Sequence, residues 1–299
     1  MDKNKRGPRQ DAEINSGGAR EQGHGIMTPR ILTASDIPEC MRLKESAGWN
    51  QTEQDWRNVM ALAPEGCLGI EESGAVVATT TAVCFGQELG WIGMVLTDPA
   101  YRGRGYARCL MQEALAQLSA RRVRWIKLDA TDMGRPLYEQ LGFRTEGLIE
   151  RWLRPPGAVL PPCTAPGPFR LDVALDREAF GADRSELLEV LAKMETATLE
   201  SGAYAMGRPG SKAHYFGPCV SRSREHARDL LTWFLGQHQR EPVYWDVLSA
   251  NSEAVDLARE HGFEKVRTLS RMSLDSVADT PRLDNHDELV FAAAGFEYG

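Results

Sequence analysis

Chemistry first becomes possible in the segment Tyr101-Arg102-Gly103-Arg104-Gly105-Tyr106-Ala107. A strand-like run ended by Asp98-Pro99 precedes it, and it passes straight into an amphipathic helical pattern. Glycines at a strand-to-helix turn let consecutive backbone N–H groups converge. The helix N-terminus adds partial positive charge, so a phosphate or pyrophosphate is favoured there. Arg102 and Arg104 supply further positive charge. The dinucleotide fingerprint G-x-G-x-x-G is not met, because Arg108 stands where the third glycine belongs, and no Gly-Lys-Ser/Thr follows for a nucleotide P-loop. Hydride and phosphoryl transfer lose ground. Taken alone, such a turn is more often a tight connection than a ligand site, so its surroundings must decide.

Those surroundings predict β-α-α-β-β-β-α-β-α-β. A short strand at 30–32 leads to Ser35 and Asp36, helix N-cap candidates opening a helix through Met41, Leu43 and Ala47, and a second helix follows Thr52. Strands are expected at 67–71 and 75–85 around the Ser73-Gly74 turn, and at 89–97. The clearest helix carries Ala107, Leu110, Met111, Ala114, Leu115 and Leu118 at offsets 0, 3, 4, 7, 8 and 11. A strand at 125–130, a helix at 133–141 closed by Gly142 and a strand at 143–153 complete the unit. Residues 155–168 hold six prolines and read as an extended linker. Beyond it the order repeats: a helix at 185–198, strands at 203–207 and 213–221, a helical stripe from Ala227 to Leu235, a strand at 243–248 and a helix at 252–261. Leu137-Tyr138-Glu139-Gln140-Leu141-Gly142-Phe143 aligns with Leu257-Ala258-Arg259-Glu260-His261-Gly262-Phe263, so the two halves read as one duplicated fold. Residues 288–298 are expected to add a closing strand to a second sheet.

Composition narrows the function class. The 299 residues allow two domains of about 150 each. Thirty-five Lys plus Arg against 42 Asp plus Glu gives a net charge of −7, which offers no footprint for a nucleic acid. No apolar run is long enough to span a membrane. The six cysteines form no C-x-x-C pair and have no histidine at ligand spacing, so reduced thiols in a cytoplasmic protein without a metal are expected. The six histidines show no ligand pair. Residues 1–26 lack the apolar core of a secretory signal and read as a disordered tail, with Met27 a second candidate start.

Arg102-Gly103-Arg104-Gly105-Tyr106-Ala107 resembles the Arg/Gln-x-x-Gly-x-Gly/Ala loop of the GNAT superfamily of N-acetyltransferases, and so does the order of elements around it. The resemblance is strong over 28–154 and weak over 172–299, and the whole chain resembles a tandem-GNAT protein of bacterial type. It implies an α/β fold with a mixed sheet, built as two tandem GNAT-like acyl-CoA N-acyltransferase domains at 27–154 and 169–299. It also implies acetyl-CoA as co-substrate, with its pyrophosphate on the Arg102–Ala107 loop. The main chain of Met94, Val95 and Leu96, on a strand splayed from its neighbour, would receive the pantetheine arm and acyl carbonyl; their side chains read as core. Tyr138 stands where the family places a tyrosine beside the leaving thiolate, and a phenol of pKa about 10 can supply a proton or a hydrogen bond to a thiolate whose thiol has a pKa of about 8.5. The family's glutamate base is missing, since Ile92 and Gly93 occupy its region and Glu88 lies at the strand's entry. No base is assigned.

The connection from Gly48 to Trp56 overhangs the acceptor cleft in that fold. Trp49 and Asn50 are acceptor-side candidates, while Thr52 with Asp55 also reads as a capping box and Trp56 as a core anchor. The second copy lacks the loop: Ser221 to His226 contains no glycine. The leading expectation is an acetyl-CoA-dependent N-acetyltransferase acting on a small primary amine, as a monomer or homodimer, whose second domain helps form the acceptor site. A longer acyl-CoA, or a CoA-binding sensor or scaffold without catalysis, remains open.

Overall fold

A computed structural model describes residues 28–157, 166–199, 201–275 and 281–299. The expected disordered tail and most of the proline-rich linker lie outside the described residues. The first half begins with β1 (Arg30–Ile31), α1 (Ile37–Ser46) and α2 (Glu53–Leu62). The meander β2 (Cys67–Glu72), β3 (Ala75–Phe85) and β4 (Leu89–Thr97) follows. Then come α3 (Tyr106–Ala120), β5 (Trp125–Ala130), α4 (Arg135–Gln140) and β6 (Arg144–Arg154). Local chemistry explains the boundaries. Thr52 caps α2 and Asp55 answers as the other half of a capping box. Ser73 and Gly74, both at positive φ, make the tight β2–β3 turn. Asp36 stands at the N-cap position of α1 as expected, but it makes no side-chain cap bond there: it ends a 3-10 turn at Ala34–Asp36 whose own cap position is Thr33, and its carboxylate is taken by Arg30 at 2.7 and 3.0 Å.

The second half contains α5 (Val173–Phe180), α6 (Ser185–Leu191), β7 (Glu195–Thr198), β8 (Tyr204–Arg208) and β9 (His214–Val220). It continues through α7 (Arg224–Gln237), β10 (Val243–Leu248), α8 (Ser252–Glu260), β11 (Glu264–Asp275) and β12 (Val290–Ala292). The helix expected across 185–198 stops at Leu191. Its last residues, rich in β-branched threonine, pair instead with β8 as strand β7.

The two halves do not form separate sheets. One twelve-stranded sheet runs β1-β2-β3-β4-β5-β11-β6-β10-β9-β8-β7, with β12 paired to β9. The halves have therefore exchanged their last long strands: β11 from the second half lies against β5, and β6 from the first lies against β10. The exchange extends to the cores. Trp152 of β6 packs among the buried residues of α7 and α8, and Met272 of β11 packs among those of α3. On the opposite face one apolar cluster joins α1 and α2 to α5 and α6, with the Phe85 and Phe180 rings edge to face at 5.3 Å. Each such aromatic or aliphatic side chain fully removed from water contributes about 1.5–3 kcal/mol, so the halves stabilise one another.

Candidate active site

Beyond β4 the chain makes a short turn at Pro99–Tyr101 and enters α3 through Gly103 (φ +76°) and Gly105 (φ +89°), a left-handed geometry that suits glycine. Gly105 is the N-cap and offers no side chain to the first amides of α3. Arg102 and Arg104 are exposed, held to the Thr97 and Ala100 carbonyl oxygens at 3.3 and 3.1 Å. Arg104 also stacks on the Tyr101 ring at 4.8 Å. Nothing lies within 4 Å of where a Cβ on Gly103 would be. The turn therefore combines unsatisfied amides, two exposed guanidinium groups and free approach, which is what an anion requires. Ala107 is half-buried. Tyr106 is turned away, its hydroxyl donating to Glu72 at 2.9 Å, so its contribution is confined to the main chain.

β4 and β5 run parallel and paired only from Leu89–Trp91 against Trp125–Lys127, then separate. Where they part, β4 bulges: the register with β3 slips between Thr79 and Thr81, and Met94 adopts φ +48°. A positive φ on a residue with a side chain costs energy and marks a functional distortion. The Thr79 hydroxyl holds the Met94 carbonyl at 2.8 Å. Met94 and Leu96 are buried and Val95 packs against the α3 core, as their side chains were expected to do. Tyr138 on α4 is also buried on that side, and burial raises its pKa well above the ordinary value, so it stays protonated.

The second half repeats the splay and closes it. β9 and β10 pair over His214–Phe216 and Val243–Trp245, then diverge, and β12 lies between them. Trp245 donates from Nε1 to the Phe291 carbonyl at 2.8 Å, Ala293 N–H to the Asp246 carbonyl at 3.0 Å, and Asn251 to the Glu288 and Val290 carbonyls. The segment expected to add a closing strand to a second sheet fills this interior cleft, with only 290–292 forming a strand.

The same segment then crosses to the first half. Trp91 donates to the Phe296 carbonyl at 3.0 Å. A Cβ on Gly93 would lie 3.0 Å from the Glu297 Cα, and one on Gly217, its counterpart, would lie 2.2 Å from the Ala293 carbonyl oxygen. The segment passes too close for a side chain at Gly217 and packs tightly against Gly93. Glu297 is buried, bonded to Arg208 at 2.6 Å and to Gln51 at 2.8 Å. Arg208 also binds Asp55 at 3.1 Å. Burial and nearby Asp55 raise the Glu297 pKa against the pull of Arg208. These residues, with Arg151 and Tyr215, line a narrow cleft between the halves with room for about one water-sized group.

Of the acceptor-side candidates, Asn50 reaches this cleft but spends its amide as a clamp. It donates to the Ala213 carbonyl at 3.0 Å and accepts from the Lys212 and Ala213 amides. Trp49 packs against the shared core, and Trp56 is fully buried there. Gln51, Arg208 and Glu297 escape sequence reasoning, since nothing in their spacing brings positions 51, 208 and 297 together. The histidines do yield one close pair. His214 and His238 stack at 4.0 Å, with His238 bonded to Glu195 at 2.5 Å and Glu241 at 2.8 Å. Glu195, His214 and His238 bring their ligand atoms within 4.8 Å of one another. Both ring nitrogens of His238 are already engaged by carboxylates, Nε2 by Glu195 and Nδ1 by Glu241.

Models of the GNAT acetyltransferase domain match residues 63–145 and 173–292. A Bacillus subtilis protein described as the uncharacterized N-acetyltransferase YitH is 27% identical over 262 residues, covering 78% of this chain and 86% of its own. Among solved structures, a Pyrococcus horikoshii protein assigned to the acetyltransferases superposes with a TM-score of 0.75 at 19% identity, covering 96% of this chain and all of that one. A tandem GNAT protein from the clavulanic acid biosynthesis pathway superposes with a TM-score of 0.60 at 14% identity, covering 85% of this chain and 100% of its own. With one domain match in each half and the splayed-strand architecture repeated in both, the chain belongs to the GNAT acetyltransferases, as an acyltransferase with two GNAT domains in tandem.

Proposed function

We propose that the first half binds acetyl-CoA and transfers its acetyl group to the primary amine of a small molecule, while the second half binds no nucleotide and walls the acceptor site. The carrying observation is that the β4–β5 splay leads into an uncapped α3 N-terminus, whereas the corresponding splay of the second half is filled by the chain's own residues 288–293. The residues present fit acetyl-CoA. The amides behind Gly103 and Gly105, with Arg102 and Arg104, would hold the pyrophosphate. The edge of β4 around Met94, Val95 and Leu96, which lacks a strand partner on the β5 side beyond Trp91, would take the pantetheine arm.

The thioester supplies an activated acyl carbon; the chain supplies position and protons. Main-chain dipoles fixed at the β4 bulge would favour charge developing on the carbonyl oxygen at no reorganisation cost. Tyr138, kept protonated by burial, would give a proton as the carbon–sulfur bond breaks. The six scattered cysteines, with no C-x-x-C pair, support a reducing, cytoplasmic setting. Among the described residues no helix is long and apolar enough to cross a membrane.

Thiol release from acetyl-CoA and longer acyl-CoAs, measured against a panel of small primary amines, tests the reading. Amine-dependent release with acetyl-CoA supports it. Preference for a longer acyl chain replaces the donor, and tight CoA binding without release under any condition replaces the enzyme with a sensor.

A further inference from the structure

We infer that Glu297, carried on the C-terminal segment of the second half, receives the ammonium group of the acceptor together with Gln51 and takes its proton. This rests on the acyl-transfer reading above and supplies the base that β4 lacks.

Three observations carry it. The C-terminal segment crosses β4 at Gly93, immediately before the distorted Met94, and packs so tightly there that a Cβ would meet Glu297 backbone at 3.0 and 3.1 Å. A carboxylate at this place must come from outside the strand, and the crossing residue is a glutamate. Second, the cleft asks for a donor. Gln51 is buried and gives its amide N–H to Glu297 at 2.8 Å, yet its Oε1 has no hydrogen-bond partner. An acceptor left unpaired in a buried site is costly unless a ligand satisfies it. Third, the guanidinium groups lining the cleft are already engaged, Arg208 with Asp55 and Glu297 and Arg151 with Asp246, so neither is open to an acidic acceptor. The cleft has room for about one water-sized group, so it can receive the ammonium nitrogen while the rest of the acceptor stays at its mouth.

The proton balance closes. An ammonium acceptor gives one proton to the Glu297 carboxylate, and its freed lone pair forms the bond to the acyl carbon. The nitrogen sheds a second proton as the carbon–sulfur bond breaks, and that proton, passed through water, restores the hydroxyl of Tyr138 after Tyr138 has given its own to sulfur. Glu297 then returns its proton to solvent through the cleft. Its surroundings set its proton affinity: Arg208 on β8 and Arg151 on β6 lower it, while Asp55 on α2 and burial raise it.

The test is an NMR titration of the full chain with ethylammonium chloride, run with and without coenzyme A, on the unaltered protein, Glu297→Gln and Gln51→Leu. One ethylammonium per chain is expected, weakened about tenfold or more in each variant, with coenzyme A affinity unchanged in both. Retained coenzyme A binding reports an intact fold, and Gln51→Leu leaves the Glu297–Arg208 pair in place should Glu297→Gln misfold. Ethylammonium that does not bind the unaltered chain, or binds both variants equally well, overturns the inference. Failure of coenzyme A to bind the unaltered chain instead overturns the donor-side reading. With an active acceptor, Glu297→Gln is also expected to lower kcat and remove the acid limb of the kcat/KM profile, and an unchanged profile would assign Glu297 to packing alone.

Discussion

Asp129 of β5 and Arg271 of β11 stand opposite each other across the exchanged strands, joined by two bonds of 2.9 and 3.0 Å and both buried. Arg151 of β6 and Asp246 of β10 repeat the pairing at 2.7 and 2.6 Å. Each bond pair links one half of the chain to the other, so the strand exchange is sealed twice by the same device. Removing one partner of a buried pair leaves an uncompensated charge, whereas an apolar replacement of both is often neutral. Arg271→Met is therefore expected to destabilise the chain by about 3–5 kcal/mol. Asp129→Leu in the same chain should restore most of that in denaturant unfolding, and no recovery would mean the pair acts independently of its charge.

Tyr138→Phe separates chemistry from binding. The hydroxyl is argued to act on charge that exists only as sulfur leaves, so kcat should fall about 100-fold or more with little change in KM for acetyl-CoA. Unaltered turnover would make Tyr138 a packing residue against Phe143, whose ring lies 6.2 Å away.

His238 gives a pH signature. Burial opposes its charge, but Glu195 and Glu241 outweigh burial and raise its pKa above the ordinary value of about 6.5. A histidine held more protonated in the folded than in the unfolded chain contributes stability that is full below about 6.5 and is lost as pH rises through the raised value. The stability difference between the unaltered chain and His238→Gln should shrink in urea titrations as the pH rises above about 6.5. A gap that grows with pH contradicts the assignment.

Ending the chain at Gly157 removes β11 from the flank of β5 and both strand partners of β6. Such a chain should self-associate through the freed edges, measured by sedimentation, and lose acceptor turnover along with Arg208 and Glu297. A fully active monomer would show that the second half lies outside the active site.

Much of this architecture is legible in the sequence because its signals are local. The 107–118 stripe marks α3, Ser73-Gly74 marks the β2–β3 turn, and Gly103 with Gly105 marks a helix entry open to an anion. The repeat of Gly142-Phe143 at Gly262-Phe263 exposes the duplication. What escapes is long-range. β6 and β11 have similar patterns and would fit beside either β5 or β10, so periodicity is silent on the exchange. Residues 288–298 read as a closing strand of a second sheet because an apolar run looks the same whether it borders a sheet or fills a cleft within one. The Gln51–Glu297 contact spans most of the chain, and an unpaired Oε1 leaves no trace in residue spacing.

The most direct measurement is a calorimetric titration of the chain with acetyl-CoA, alongside Gly105→Glu. One site per chain is expected, because the second cleft is filled by residues 288–293, and Gly105→Glu should abolish binding by placing a carboxylate at the uncapped α3 N-terminus. Two equivalent sites, or binding that survives Gly105→Glu, would contradict the account.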